Sequence, residues 1–171
     1  MQKLWRITIF GIRGILAVLI VGIILTTSWG VITRYLLDSA ASWTGELAAY
    51  MLVWITFLGS ALAVVEGGHM NFDLILENLP PTTRKIVKLL GNIALLYFTG
   101  VLTYYGGIVA MSAIQDHALT MPISKSLFYA ALPVSGLIMV IGYLLDTLKI
   151  FRSEGKAISE EIRSNKEEVV L

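Results

Sequence analysis

The chain has 171 residues, of which 56% are hydrophobic and 15% are charged, and its net charge is +1. Soluble domains average about 45–50% apolar and about 25% charged residues, so this composition indicates a protein that contacts lipid. The small net charge excludes nucleic acid as a partner, and the absence of cysteine excludes disulfides, thiolate zinc sites and iron–sulfur clusters.

Four windows are long and apolar enough to cross a bilayer as helices, because about 20 apolar residues span a hydrocarbon core of ~30 Å. They are residues 14–32, 47–65, 89–113 and 127–145. The first window is retained rather than a secretory signal, since its apolar run exceeds a signal core of about 7–15 residues and no cleavage site follows. A soluble bundle of buried helices is the alternative, which the charged residues between uncharged windows disfavour. The sequence predicts an all-α integral membrane protein, with a four-helix domain over 1–152 and a polar tail over 153–171.

The distribution of Lys and Arg predicts the orientation of these helices. The first connection contains only Arg34 and the third only Lys125, whereas the other eleven of the 13 basic residues lie in the N-terminal segment, the second connection and the tail. By the positive-inside rule, both termini and the second connection are cytoplasmic. The connections around 38–43 and 115–125 then face outward, which is the periplasm in a bacterium. Arg13 lies at the cytoplasmic edge of its window, where its stem can snorkel to the interface.

The second connection contains an amphipathic pattern. Its apolar residues recur with helical spacing at Phe72, Ile75, Leu76 and Leu79. We expect a short helix over residues 71–79, stopped by Pro80 and Pro81, that lies flat among the lipid headgroups on the cytoplasmic side. Packing of this helix on the cytoplasmic ends of the protein itself remains an open alternative.

Aromatic residues mark the outer boundary of the predicted helices, as in the usual interfacial belt. They are Trp29, Tyr35, Trp43, Tyr50, Tyr104, Tyr105, Phe128 and Tyr129. Pro122 and Pro133 are expected to shape the entry to the fourth helix, and Pro133 to kink it, because proline removes a backbone hydrogen bond.

Neither a cofactor site nor a catalytic site is evident. His69 and His117, the two histidines, are predicted on opposite sides of the membrane, which excludes a bis-histidine haem. Every acid lies at or beyond a helix end, and no paired nucleophile and base or phosphate loop is present. The mid-span polar residues are expected to form helix–helix hydrogen bonds rather than bind a solute. They are Thr26, Thr56, Ser60, Asn92, Thr99 and Thr103. The sequence therefore favours a protein that supports a partner, and not an enzyme.

Several stretches, in their order and spacing, resemble the small membrane subunit of tripartite ATP-independent periplasmic (TRAP) transporters. They are RY at 34–35, WTGEL at 43–47, FLGSALA at 57–63, EGGHMNFD at 66–73, LPP at 79–81, MPI at 121–123 and YAALP at 129–133. The chain departs from the family pattern at Gly45, where a second acid is common beside Glu46, and at Ala49 or Tyr50, where an Arg is common.

The resemblance implies three components: a periplasmic solute-binding protein, a large multi-helix subunit that translocates, and this chain as its non-catalytic scaffold in membrane lipid. It implies sodium-driven import of an organic acid of the sialic acid or C4-dicarboxylate class, with the sodium ions held by the large subunit, no cofactor in this chain and a bacterial inner-membrane location. Overall likeness favours sialic acid. Two alternatives stay open, a membrane-anchor subunit of a respiratory enzyme that holds a quinone or haem and a small homodimeric exporter.

Four roles are predicted for individual residues. Arg34 and Glu46, at adjacent outer helix ends, are expected to pair, with Trp43 beside them at the start of the second helix. Glu66, His69 and Asp73 are expected to form hydrogen bonds around the Gly67–Gly68 turn. Pro122 and Pro133 are expected to shape the entry to the fourth helix. The expected docking residues for a binding protein are Asp38, Ser42, Gln115, Asp116 and His117.

Overall fold

The structure of the protein is a computed structural model, and it describes residues 2–39, 41–66 and 81–148. The predicted interfacial helix over 71–79, with His69 and Asp73, lies outside these residues, as does the polar tail over 153–171. The regular structure of the described part is helical, apart from an isolated bridge between His117 and Ser124.

The four predicted spans are confirmed as helical segments long and apolar enough to cross a membrane. The helices are α1 Gln2–Leu36, α2 Trp43–Val65, α3 Pro81–Ser112, α4 Ser126–Tyr129 and α5 131–148. The segments that meet the length and composition test are Thr8–Leu36, Trp43–Val65, Leu89–Ser112 and Ser126–Leu148. Three of them extend past the apolar windows at one or both ends, because helical hydrogen bonding continues into the flanking residues, whereas the third ends one residue earlier, at Ser112.

The helices lie side by side in the order α1, α2, α5, α3. α1 packs on α2 through two glycines that let the backbones approach: a Cβ on Gly22 would lie 3.2 Å from the Met51 sulfur, and one on Gly30 would lie 2.6 Å from the Thr44 hydroxyl oxygen. Such small residues are typical of helix contacts in lipid, where the hydrophobic effect does not drive association.

The centre of the molecule lies where α5 meets α2 and α3. Ala61 of α2 packs with Met139 and Tyr143 of α5 in one buried cluster, which Leu95 and Leu96 of α3 complete. α5 is therefore the helix that joins the two halves of the row.

One polar side chain reinforces the contact between α3 and α5. The amide nitrogen of buried Asn92 donates to the Tyr143 carbonyl at 3.2 Å and to the Thr147 hydroxyl at 2.5 Å. Asn92 thus forms the helix–helix hydrogen bond predicted for it. The hydroxyls of Thr56 and Ser60, by contrast, donate to carbonyls of their own helix at 2.8 Å, so the prediction is wrong for them. The same holds for Thr99 and Thr103.

The fourth span is divided at Ala130, between α4 and α5. The break falls about one turn before Pro133, whose missing N–H leaves the Tyr129 carbonyl without its usual helical donor. The Ala130 amide still donates to the Ser126 carbonyl at 2.8 Å, so the chain stays close to a helical path through the break.

Large apolar side chains cover the outward surfaces of the two outer helices. Examples are Val18 and Leu25 of α1, 72% and 64% exposed, and Tyr97 and Met111 of α3, 76% and 74% exposed. An open apolar groove of about 350 Å³ also runs between α3 and the α4–α5 segment. These surfaces require an apolar environment, either hydrocarbon or another membrane protein.

The α3–α5 contact predicts the outcome of adding one methyl group at Gly136. A Cβ at this buried position would collide with the Thr103 hydroxyl and lie 3.4 Å from the Thr103 Cα. We expect Gly136→Ala to destabilise the isolated chain by about 1–3 kcal/mol, because the helices cannot separate without losing their packing. Thermal unfolding in detergent micelles measures the effect.

Gly107→Ala is the matched control, because a Cβ on Gly107 of α3 meets nothing within 4 Å. This variant should unfold at the wild-type temperature or slightly above it, because alanine suits a helix interior better than glycine. Equal unfolding temperatures for Gly136→Ala and the wild type would contradict the close approach of α3 and α5.

Candidate functional site at the Glu46 end

The connection between α3 and α4, residues 113–125, is held against α2 by a single carboxylate. Glu46 lies in the first turn of α2. It accepts hydrogen bonds from the Leu119 amide at 2.9 Å and the Thr120 amide at 2.8 Å, and a further short bond from the Thr120 hydroxyl. Hydrogen bonds to an ionised group are stronger than those between neutral groups. We call this arrangement the Glu46 clamp, and the membrane side on which it lies the Glu46 end.

The clamp continues along one face of α2. Glu46, Tyr50 and Trp54 are four residues apart, so their side chains lie on the same side of the helix. The Tyr50 ring packs edge-on against Phe128 of α4 with centroids 5.2 Å apart, and the Trp54 indole nitrogen donates to the Leu127 carbonyl at 3.0 Å. This face of α2 therefore binds both the 113–125 connection and α4.

These contacts correct the predicted aromatic belt at two positions. Tyr50 is buried, 7% exposed, and Phe128 is its packing partner, so both serve the fold rather than the membrane interface. Tyr35 and Tyr104, 76% and 67% exposed, remain available for an interfacial role.

The 113–125 connection is also fixed by hydrogen bonds of its own. The Ala118 amide donates to the Ile123 carbonyl and the Lys125 amide donates to the Asp116 carbonyl, both at 2.8 Å. The Ser124 hydroxyl lies 2.8 Å from the Ile114 carbonyl and 3.0 Å from the Ala113 carbonyl. The connection is therefore an ordered surface rather than a slack linker.

The predicted docking residues all lie at the Glu46 end, and all are exposed. They are Asp38, Ser42, Gln115, Asp116 and His117. The first two lie in the connection between α1 and α2, where Asp38 adopts a positive φ of 46° that bends the chain after α1. The clamp brings the two connections together, because Glu46 follows the first connection and binds the second. Trp43 and Pro122 lie at the same end. Trp43 is 39% exposed, and Pro122 is also exposed.

The predicted ion pair between Arg34 and Glu46 is wrong. Among the described residues the Glu46 carboxylate is bonded to Leu119 and Thr120, and no ion pair joins it to Arg34. Neither partner could be read from the sequence, because both lie more than seventy positions further along the chain and are bound through backbone amides.

At the opposite end, Arg13 pairs with Glu66 across α1 and α2. A guanidinium nitrogen of Arg13 lies 2.7 Å from a Glu66 carboxylate oxygen, and the Arg13 Nε donates to the same oxygen at 2.9 Å. The sequence suggested that Arg13 lies at the edge of the first helix. Because α1 begins at Gln2, Arg13 lies within the helix instead. The bonds predicted between Glu66, His69 and Asp73 involve two residues outside the described ranges.

No group of three or more His, Asp or Glu side chains that could hold a metal ion occurs within the described ranges. The Glu46 carboxylate accepts hydrogen bonds from two backbone amides and one hydroxyl of the 113–125 connection.

The clamp predicts the behaviour of the Leu119 and Thr120 amides in a Glu46→Gln variant. The glutamine amide keeps the size of the side chain, but its nitrogen cannot accept a hydrogen bond from either amide. We expect hydrogen exchange at these two amides to become several-fold faster, because the connection opens more often. Mass spectrometry of the isolated chain in detergent measures the exchange.

Glu66→Gln is the matched control, since it makes the same change at the other end of α2 and should leave exchange in the 113–125 connection unchanged. Wild-type protection of both amides in Glu46→Gln would show that the carboxylate does not hold the connection.

Comparison with known proteins agrees with this architecture. The family model for the DctQ component of tripartite ATP-independent periplasmic transporters matches residues 23–153. The sialic acid TRAP transporter small permease protein SiaQ of Vibrio cholerae is 29% identical over 143 residues, which is 83% of each chain.

Two further relatives extend the comparison. The C4-dicarboxylate TRAP transporter small permease protein DctQ of Rhodobacter capsulatus is 27% identical over 60% of this chain and 46% of its own length. The sialic acid TRAP transporter permease protein SiaT of Haemophilus influenzae is 26% identical over 77% of this chain, but over only 21% of its own, longer sequence. With a family model that covers most of its length, and with its four membrane-spanning helices, the chain belongs to the small permease (DctQ) component family of TRAP transporters.

Proposed function

We propose that this chain is the non-catalytic scaffold of a TRAP transporter, which holds a large translocating subunit in the membrane. The observation that carries the proposal is the chemistry of the span interiors. Residues 14–33, 47–65, 89–112 and 126–145 contain no Asp, Glu, Lys, Arg or His. Carriers and pumps place such groups within their spans. Asn92 and the mid-span hydroxyls that form hydrogen bonds are engaged within the chain, which favours support of a carrier over transport by this chain alone.

The partner we propose is a large multi-helix membrane subunit. In the relative SiaT, the part similar to this chain amounts to about a fifth of a longer permease. A segment like this chain and a much larger permease segment therefore occur there in one polypeptide. The apolar outer surfaces of α1 and α3 supply the contact area for such a partner, and lipid covers the remainder.

The Glu46 end is proposed as the docking surface for a periplasmic solute-binding protein. The Lys and Arg distribution supports this assignment through the positive-inside rule, and we propose a bacterial inner-membrane protein with both termini in the cytoplasm. The exposed Asp38, Ser42, Gln115, Asp116 and His117 then face the periplasm on two connections that the Glu46 clamp holds together. An ordered surface favours docking, because less conformational entropy is lost on binding.

The proposed transport reaction is sodium-driven import of an organic acid. Relatives are named for sialic acid and for C4-dicarboxylate, and we propose a solute of one of these classes. We propose that the other two components select the solute and bind sodium, because the span interiors of this chain contain no ionisable Asp, Glu, Lys, Arg or His. No cofactor is required in this chain.

Reconstitution of the transporter tests the scaffold role. Liposomes that contain the large subunit, this chain and the binding protein should accumulate the organic acid when a sodium gradient is imposed. Omission of this chain should abolish uptake, and liposomes that contain this chain alone should accumulate nothing.

Two outcomes would contradict the proposal. One is full uptake without this chain, which would mean that the large subunit needs no scaffold. The other is solute accumulation by this chain alone, which would make it a carrier. Affinity purification in mild detergent gives an independent check, since the large subunit should accompany the tagged chain in constant ratio.

The proposed orientation predicts which positions a membrane-impermeant maleimide can reach. The chain contains no cysteine, so a single introduced thiol reports one position without further changes. His117→Cys should be labelled in intact spheroplasts, whereas Ser164→Cys in the tail should be labelled only after permeabilisation. The reverse pattern would place the Glu46 end in the cytoplasm.

A further inference from the structure

A highly exposed large apolar side chain lies at the Glu46 clamp. Leu119 is 92% exposed, more than any other large hydrophobic residue whose side chain the structure describes. Its neighbours in sequence differ from it: Ala118 is buried at 9% exposed, and the Thr120 hydroxyl bonds to Glu46. The connection therefore exposes Leu119 near its middle, away from Ile114, which is 58% exposed shortly after α3.

The backbone that carries Leu119 is fixed. Its own amide and the following one donate to Glu46, and the amide before it donates to the Ile123 carbonyl. Single exposed apolar residues are common on protein surfaces and need no special explanation. What distinguishes Leu119 is that three successive amides hold it in one place, so that its side chain is presented in a defined position before any partner arrives.

The surroundings favour a protein over a lipid surface as the partner. Segments that insert into the interface carry several apolar or aromatic residues together with basic ones. Leu119 is accompanied instead by exposed Asp116 and His117 on the same connection, and an acidic side chain is costly to bring towards hydrocarbon. An apolar anchor within a polar rim is the usual arrangement of a protein–protein contact.

We propose that Leu119 is the apolar anchor of the docking surface for the solute-binding protein, and that Glu46 is the residue that positions it. This inference rests on the proposed docking role of the Glu46 end. The expected partner surface is a shallow apolar pocket on the binding protein, surrounded by polar groups complementary to Asp116 and its neighbours.

Binding measurements on the assembled transporter test the anchor. The complex of this chain with its large subunit is placed in lipid nanodiscs, and its affinity for the solute-loaded binding protein of the same transporter is measured. Leu119→Ser should weaken binding about tenfold or more, the usual effect of removing a buried apolar anchor. Leu148→Ser is the matched control, because it changes an exposed leucine at the opposite end of α5 and should leave binding unchanged.

Labelling of an introduced thiol separates a protein contact from a lipid contact. Leu119→Cys in the nanodisc complex should react with a water-soluble maleimide, and addition of the binding protein should suppress the reaction. A thiol that is unreactive before the binding protein is added lies in lipid, and this result would overturn the proposal in favour of membrane insertion.

A double-mutant cycle tests the positioning role of Glu46. If the carboxylate acts by holding Leu119 in place, Glu46→Gln should weaken docking in the wild type but add little in a Leu119→Ser background. In uptake assays, both variants should raise the binding-protein concentration that gives half-maximal uptake and leave the maximal rate unchanged. Additive effects, or a reduced maximal rate, would mean that Glu46 has only a structural role.

The possible failures are distinguishable. If the wild-type complex fails to bind the solute-binding protein, the proposed docking function of the Glu46 end is wrong. If the wild type binds and Leu119→Ser binds equally well, only the anchor is wrong. Loss of the large subunit from purified Leu119→Ser would make the residue part of the assembly contact, which also overturns the proposal.

Discussion

Hydrocarbon cannot solvate polar groups, and this constraint explains most of the structure. Within the spans, the hydroxyls of Thr56 and Thr99 donate to carbonyls of their own helices, and Asn92 donates to Tyr143 and Thr147 of α5. Charged groups lie towards the ends of the spans or beyond them, where Arg13 pairs with Glu66 and Glu46 accepts three hydrogen bonds. Because these polar groups are used to satisfy the fold, few remain to bind a solute in the membrane.

The order α1, α2, α5, α3 explains how such a chain can serve as a scaffold. α2 and α5 have a helix on each side and build the centre around Ala61, Met139 and Tyr143. The outer helices expose large apolar side chains over most of their length. A row of helices presents more lateral surface than a closed bundle of the same length, and this surface is available both to lipid and to a membrane partner.

Sequence patterns predicted the helices because apolar length and charge are local properties. The family was also predicted, from short stretches in a fixed order, and the family model confirms it. The partners of Glu46 and Arg13 could not be predicted, because each depends on how helices distant in sequence lie against one another. Tyr50 was misassigned for the same reason: an aromatic residue near a helix end suits both an interfacial belt and a buried contact, and only packing against Phe128 decides between them.

The face of α2 formed by Glu46, Tyr50 and Trp54 has a mechanical consequence. Eight residues of helix advance about 12 Å, so this face extends from the surface connection well into the span. Glu46, its first residue, is hydrogen-bonded to the connection, and Trp54, its last, is hydrogen-bonded to the beginning of α4. A force applied to the connection from outside the membrane would thus be shared by α2 and α4, and these parts would shift together as one body.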